Sequence, residues 1–414
     1  MQWVSSICIM EALALFSAVL KLEQPWQIDR IDYKGEEPKE ELHIYLSHTR
    51  RTKFEYDGDS YSVYDHQDRT WRHLDFFQSP CYLHARVPRI KHKDGMVKLV
   101  RVPWAQAGSS FTLLFENLLL ALVSFGLSMT KAGEATNIGR RRVFGLVQRR
   151  VSNALATQGL DTVKELSIDE TSSKRGHQYL TILTDREARK VVGIAPGKDV
   201  EAVAQSLADA EVRGASKEDV KCIAMDMSKA FIAAATEHMP QADIVFDRFH
   251  ITKKLNEHVD EIRRQEQKEA KDLKRTRYLW LKNNKDLTKK QKESIQYLEE
   301  AYPNLGQAYR LKELFKDVMD GAYKNSRLKP LNDWIKLAWN SGIHQMQKFV
   351  NFLHNHWYGI KTYFKKLATN ALAESVNLKI QEIKRIAKGY RNIRNFITVI
   401  YFHLGGLDLF KPIE

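Results

Sequence analysis

Of 414 residues, 65 are Lys or Arg and 51 are Asp or Glu, so the chain carries a net charge of +14. That balance points to a polyanionic partner, nucleic acid ahead of a membrane surface, while 43% hydrophobic content excludes a disordered chain and the length fits two to four domains. The three cysteines, Cys8, Cys81 and Cys222, contain no C-x-x-C pair; this argues against a disulfide framework and a thiolate zinc site and fits a reducing cytosol.

In chain order, residues 1–25 are predicted to form an N-terminal helix. Its apolar run Val4–Leu20 lacks a basic leader and carries Glu11, and the later run Phe111–Leu127 carries Glu116 and Asn117. Both read as core helices rather than signal or membrane-spanning segments. From 26 to 107, short apolar strands alternate with polar turns, which predicts a small β domain with basic strands. His84, Arg86, Arg89, Lys91, His92 and Lys93 cluster near one of its turns, where a phosphate-tracking surface and a solvated strand face are both compatible with them.

Residues 108–162 form a helical block. Its segments Phe111–Leu127, Met129–Ala135 and the arginine-rich Arg140–Val151 are separated near Asn137–Gly139, and the order suits a helix-turn-helix whose second helix enters a DNA groove. Arg140, Arg141, Arg142, Arg149 and Arg150 would then meet DNA; the alternative is the wet face of a packed helix, and the overall charge favours DNA.

From Leu166 to Phe249, strands near 166–169, 179–184, 190–195, 221–226 and 242–246 alternate with helices over 200–212 and 229–238. This order predicts a mixed α/β sheet. Asp169 and Asp226 end apolar strands at its carboxyl edge, where such sheets bind ligands. A carboxylate there is costly unless a cation meets it, either an Arg or Lys partner or a metal. Ser228 is placed to cap the helix that follows. Residues 256–345 then turn to charged helix with Trp280, Trp334 and Trp339 as anchors, an inserted subdomain. The segment 370–386 is a long helix with an apolar stripe of Leu372, Val376, Ile380 and Ile383. Glu374, Asn377, Gln381, Lys384 and Arg385 line its adjoining faces, able to offer a carboxylate to metal while Lys379, Lys384 and Arg385 face a phosphate backbone.

Several ordered motifs resemble the ISL-three family of bacterial insertion-sequence transposases, and the resemblance runs from about Trp26 to Leu409. They are Trp71-Arg-His-Leu-Asp-Phe-Phe, Tyr82-Leu-His-Ala-Arg-Val-Pro-Arg, Val102-Pro-Trp, Asp169-Glu-Thr-Ser-Ser, Met225-Asp-Met-Ser, Phe246-Asp-Arg-Phe-His, Asn370-Ala-Leu-Ala-Glu and Gly389-Tyr-Arg-Asn-Ile-Arg-Asn-Phe. The resemblance implies a DDE transposase: N-terminal DNA-binding modules, a ribonuclease H-like catalytic domain over 163–414, and a helical insertion ahead of the last acid. Carried over by motif, the catalytic and metal-binding acids are Asp169, Asp226 and Glu374, the second 57 positions after the first and the third 148 positions after the second. The implied partners are double-stranded DNA, as terminal inverted repeats and target, and further copies of the chain on that DNA. No membrane is involved, and the expected location is the bacterial cytoplasm at the nucleoid. Two Mg²⁺ or Mn²⁺ ions fit the acids, since hard cations take carboxylate oxygens and a metal pair can activate the attacking oxygen and stabilise the leaving one. His177 and His250 read as structural or phosphate-contacting.

The chain also departs from the family. Relatives carry a zinc ribbon with paired cysteines, whereas Lys53–Ser60 and Lys91–Met96 contain none, so no zinc is expected and the β domain reads as a degenerate ribbon. Ser375 stands where a Gly commonly follows the acid. An inactive or domesticated DNA-binding regulator is the alternative to an active transposase, and a structure-specific nuclease of the same fold is a third reading. Glu382 and Asp247 compete with Glu374 for the third acid. Glu382 lies eight positions along the same helix, about 12 Å away along its axis, and Asp247 precedes Arg248, which favours an ion pair or a structural role.

Overall fold

The computed structural model describes residues 13–36, 39–174, 176, 178–325, 328–366 and 371–410. The chain divides into two compact units, Met1–Asn153 with Asp408–Glu414, and Ala154–Leu407.

In the first unit, residues 13–19 are helical (α1). Six strands follow: β1 (Trp26–Lys34), β2 (Glu41–His48), β3 (Lys53–Tyr56), β4 (Asp59–Phe76), β5 (Ser79–Lys91) and β6 (Val97–Leu99). They form one sheet in the order β1-β2-β5-β4-β3, with β6 also on β5. Alternation along β2 and β5 buries Leu42, Ile44, Leu46, Cys81, Leu83, Ala85 and Val87 on one face, where Trp26, Trp71 and Trp104 pack edge to face.

Three helices follow: α2 (Leu113–Ser124), α3 (Met129–Ala135) and α4 (Arg140–Thr157), the last reaching past Asn153. Thr112 caps α2 and Ser128 caps α3 through their hydroxyls. The turn between α3 and α4 presses on Gly133, where a Cβ would lie 2.3 Å from the carbonyl oxygen of Ile138. The backbone contact therefore falls on α3 rather than in the turn, where a Cβ on Gly139 would have nothing within 4 Å.

The acid inside the apolar run of α2 now has an explanation. Glu116 is fully buried, and its Oε2 accepts from Arg150 Nε (3.1 Å) and Nη2 (2.8 Å), while Oε1 accepts from Ser109 Oγ (2.6 Å) and from Arg149. A carboxylate lacking these partners would not survive there. Arg149 and Arg150, expected at DNA, are therefore drawn inward, and Arg150 is only 2% exposed.

The second unit holds a mixed five-stranded sheet of β7 (Glu165–Lys174), β8 (Gln178–Asp185), β9 (Lys190–Pro196), β10 (Cys222–Met225) and β11 (Asp243–Phe246), in the order β11-β10-β7-β8-β9. The three consecutive strands β7, β8 and β9 pair antiparallel, whereas β10 runs parallel to both β7 and β11. The crossover into β10 carries α5 (Val200–Glu211), and that into β11 carries α6 (Lys229–His238). Asp199 caps α5 through Ala202 N–H. Ser228 occupies the N-cap of α6, but its hydroxyl makes no capping bond, contrary to expectation.

Helices then take over: α7 (Arg248–Glu266), α8 (Arg277–Leu281), α9 (Lys289–Ala301), α10 (Pro303–Asn325), α11 (Lys329–Asn340), α12 (His344–Asn355), α13 (Trp357–Lys366), α14 (Ala371–Ile386) and α15 (Ile393–Leu404). Trp280 and Trp334 are buried, with indole N–H groups donating to Thr276 Oγ1 and the Leu311 carbonyl. Trp339, the third expected anchor, is 46% exposed. Close approach lets α13 lie on β11, since a Cβ on Gly359 would sit 2.5 Å from the Phe246 ring. No helix among the described residues is long and apolar enough to cross a membrane.

Replacing Glu116 by Ala removes the buried carboxylate that Arg149 and Arg150 share, and unfolding measurements are expected to record a loss of about 3–5 kcal/mol. Replacing Glu116 and Arg150 together by Leu and Met should recover most of it. A single variant as stable as the parent would contradict this role.

Candidate active site

Two strand registers bring the site together. The parallel rungs pair Ala224 with Ser167 and Met225 with Phe246, so the residues just beyond the end of β10 fall beside Asp169 and Asp247. Asp247 N–H donates to the Met225 carbonyl at 3.0 Å, which continues the ladder by one step. Asp169, Asp226 and Asp247 thus stand at one level across three neighbouring strands. The expectation that Asp169 ends its strand needs correction. β7 continues to Lys174 because its hairpin with β8 goes on pairing, and what ends near Asp169 is the flanking β10.

Main-chain N–H groups hold one oxygen of each carboxylate. Asp169 Oδ1 accepts from Glu170 N–H at 2.8 Å, Asp226 Oδ1 from Ser228 N–H at 2.9 Å, and Asp247 Oδ1 from Phe249 N–H at 3.1 Å. Asp226 itself therefore organises the entry to α6, and Asp247 caps α7. Asp247 is buried, and its neighbour Arg248 pairs with Asp320. His250 Nε2 lies 4.0 Å from Asp247 Oδ2. His177 lies outside the described residues, as does Asn370.

Helix α14 closes the open side of β7. Val376, Ile380 and Ile383 are buried as the stripe required, and Ala373 joins them. The adjoining polar positions grip β7: Asn377 Nδ2 donates to Asp169 Oδ2 (2.8 Å) and to the Glu170 carbonyl (3.3 Å), Gln381 Nε2 to Thr171 Oγ1 (2.8 Å), and Lys384 Nζ to the Ser172 carbonyl (2.8 Å). Glu374 precedes Asn377 by one turn on the same face, and its side chain is exposed. Glu382 is exposed farther along the helix. The residue that sequence reasoning undervalued is Asn377; its signal was the polar series 377, 381 and 384 beside the apolar stripe.

Burial pushes the Asp169 carboxyl up to about 7, with the charges of Asp226, Asp247 and Glu170 adding to the effect and the Glu170 N–H bond opposing it. Oxygen donors of this kind suit a hard divalent cation. Among the described residues no three acids, imidazoles or thiols converge closely enough to hold a metal by themselves.

Residues 166–400 match the family model described as a transposase of the DDE, ISL-three type. The chain belongs to the ISL-three transposase family. Its curated relatives include the transposase for insertion sequence element IS1557 of Mycobacterium tuberculosis, 26% identical over 368 residues and 82% of each chain. The transposase for insertion sequence element IS1001 of Bordetella parapertussis is 26% identical over 390 residues, 91% of this chain and 95% of the relative.

A second match corrects the expectation of a zinc-free chain. Residues 57–94 fit the model described as the zinc-finger of transposase IS204/IS1001/IS1096/IS1165, which points to zinc binding in this stretch of the ISL-three protein. The expectation rested on cysteines alone, whereas zinc also takes imidazole nitrogen, and the stretch contains His66, His73, His84 and His92 besides Cys81. His66 Nε2 lies 2.9 Å from His48 Nε2, and His84 Nε2 lies 2.9 Å from His43 Nδ1. Cys81 is buried, which pushes its thiol up to about 12.

The remaining basic residues differ in availability. Arg86 and Lys91 on β5 are exposed, Arg86 beside Asp68 at 3.7 Å, while Arg89 is tied to Asp65 by Nε to Oδ1 at 2.6 Å. Arg140 and Arg141 are exposed on α4; Arg142 is exposed as well, but donates to Ser110 Oγ at 2.9 Å and lies over the Phe111 ring. On α14, Lys379 and Arg385 are exposed.

The Asp169 carboxyl gives a pH test. The unfolded chain releases this proton near 3.8 and the folded chain near 7, so between those values the folded state binds more protons and stability falls as pH rises. Chelator-treated protein is expected to lose thermal stability relative to Asp169→Asn between about pH 4 and 7, with no further divergence above 7. Parallel melting curves for the two proteins across that range would refute the shift.

Proposed function

We propose that this chain is an active transposase that binds the ends of its insertion sequence and carries out metal-dependent strand cleavage and strand transfer. The observation that carries the reading is the alignment of Asp169, within β7, with Asp226, just past the carboxyl end of the adjacent β10. The strand order β11-β10-β7-β8-β9, with three antiparallel strands followed by two parallel ones, supports a ribonuclease H-like core.

In this reading Asp169 and Asp226 hold Mg²⁺ or Mn²⁺ through the carboxylate oxygens that the main chain leaves available. The cation's contribution is to stabilise charge on the attacking and leaving oxygens of an in-line phosphoryl transfer. Glu374 supplies the third carboxylate. Its support is position, one turn from the Asn377 contact to Asp169, and its exposure to solvent. Asp247 is a weaker ligand candidate because it is buried and committed to capping α7; its charge adds to the pull of the edge on a cation. Arg86 and Lys91 on β5, Arg140, Arg141 and Arg142 on α4, and Lys379 and Arg385 on α14 contribute phosphate contacts, and α3 with α4 reads as a helix-turn-helix.

Cleavage and joining of labelled DNA bearing the flanking inverted repeats tests the reading. Asp169→Asn, Asp226→Asn and Glu374→Gln are each expected to lose Mg²⁺-dependent cleavage while end binding stays near that of the parent; Glu382→Gln and Asp247→Asn should keep part of it. An active Glu374→Gln protein beside a dead Asp247→Asn protein would move the third ligand into the sheet. Changing Arg140, Arg141 and Arg142 together to Ala should weaken end binding and flatten its salt dependence by about 0.9 in log–log slope for each phosphate that no longer meets a guanidinium. An unchanged slope would remove α4 from the interface.

A further inference from the structure

The Asn377 amide is used on one side only. Its Nδ2 donates to Asp169 Oδ2 at 2.8 Å and to the Glu170 carbonyl at 3.3 Å. Its Oδ1 is shielded from solvent and has no hydrogen-bond partner. A shielded amide oxygen left unpaired is costly, so such a group beside an acidic edge calls for an explanation. The two neighbouring polar contacts of α14, from Gln381 and Lys384, already dock the helix on β7. Docking alone therefore does not require an amide at 377, and a smaller or apolar side chain would leave no orphan.

With Asn377 present, both oxygens of Asp169 are engaged, Oδ1 by Glu170 N–H and Oδ2 by Nδ2. The carboxylate is fixed in one orientation. The Asn377 carbonyl, on the same planar amide, lies one amide width from that contact. It is a neutral hard oxygen of the kind that accepts from a water in a divalent cation's hydration shell.

Building on the metal-dependent reading above, we propose that Asn377 is a positioning residue of the phosphoryl-transfer site. Its Nδ2 sets the orientation of Asp169, and its Oδ1 accepts a hydrogen bond from a water on the cation that Asp169 holds. Groups that orient a metal ligand in this way typically account for 10–100-fold in metal affinity. Asn is suited to both tasks at once, since it offers a donor and an acceptor without adding charge to an edge already crowded with aspartates. Asp at this position would add a fourth negative charge and lose the donor; Leu would keep the volume and lose both functions.

The test is Mn²⁺ binding to the full chain, followed by calorimetry and by the electron spin resonance of the ion, alongside cleavage at graded Mn²⁺. Asn377→Ala and Asn377→Leu should each bind Mn²⁺ about 10–100-fold more weakly, fold as judged by far-ultraviolet dichroism, and bind end DNA as the parent does. Raised Mn²⁺ should restore their cleavage, which it should not do for Asp169→Asn. Asn377→Gln, which keeps the amide, should recover part of the affinity if the first two variants fold poorly. Mn²⁺ affinity within twofold of the parent in all three, with Asp169→Asn still losing the ion, would overturn the proposal and leave the metal site standing. Undiminished Mn²⁺ binding by Asp169→Asn would overturn the metal site itself, and this proposal with it.

Discussion

The short parallel pairing of β10 with its two neighbours is the constraint on which the rest depends. Four residues, Cys222–Met225, are buried on both faces and register against β7 and β11. Because the rungs stop at Met225 while β7 runs on, the sheet gains a step where carboxylates from three strands stand at one level. Shifting β10 by one residue would turn Asp226 to the other face of the sheet and bury it among apolar side chains. The cost of gathering three aspartates is visible in Asp169, whose carboxyl is pushed up to about 7 by burial and neighbouring charge. Such a site is poised to favour a cation.

The outer layer serves the same end. Helix α14 presents an apolar stripe, Val376, Ile380 and Ile383, that keeps it in place, and a polar row, Asn377, Gln381 and Lys384, that meets β7 at successive residues. One helix thereby supplies packing, orientation of Asp169, and the exposed Glu374 one turn away. Most of the long separation in sequence between Asp226 and Glu374 is taken up, after α6 and β11, by the helices from α7 to α13, which bring their own buried tryptophans, Trp280 and Trp334.

Much of this was legible in the residues. Apolar runs ending in Asp located β7, β10 and β11, and the 3.6-residue period located α14 with its buried stripe. The extent of β7 was not legible, because Glu170–Lys174 is polar and strand pairing there is imposed by the β8 hairpin rather than by hydrophobic pattern. The fate of Arg149 and Arg150 was likewise hidden, since nothing local announces that Glu116, on a helix before theirs in the chain, is buried and must be neutralised. Asn377 read as one of several polar neighbours, and its contact with Asp169 spans 208 residues. The zinc expectation weighed thiolates alone, and it is overturned by the match of residues 57–94 to the family's zinc-finger, a stretch that also holds four imidazoles.

The central claim is that the edge formed by Asp169 and Asp226 holds the divalent cation of a phosphoryl-transfer site. The most direct measurement is the anomalous X-ray signal from crystals of the protein bound to end DNA and soaked in Mn²⁺. A peak within coordination distance of carboxylate oxygens of both Asp169 and Asp226 is the expected result. Ordered Mn²⁺ elsewhere in the complex, with that edge occupied by water or by a Lys or Arg side chain, would contradict the account.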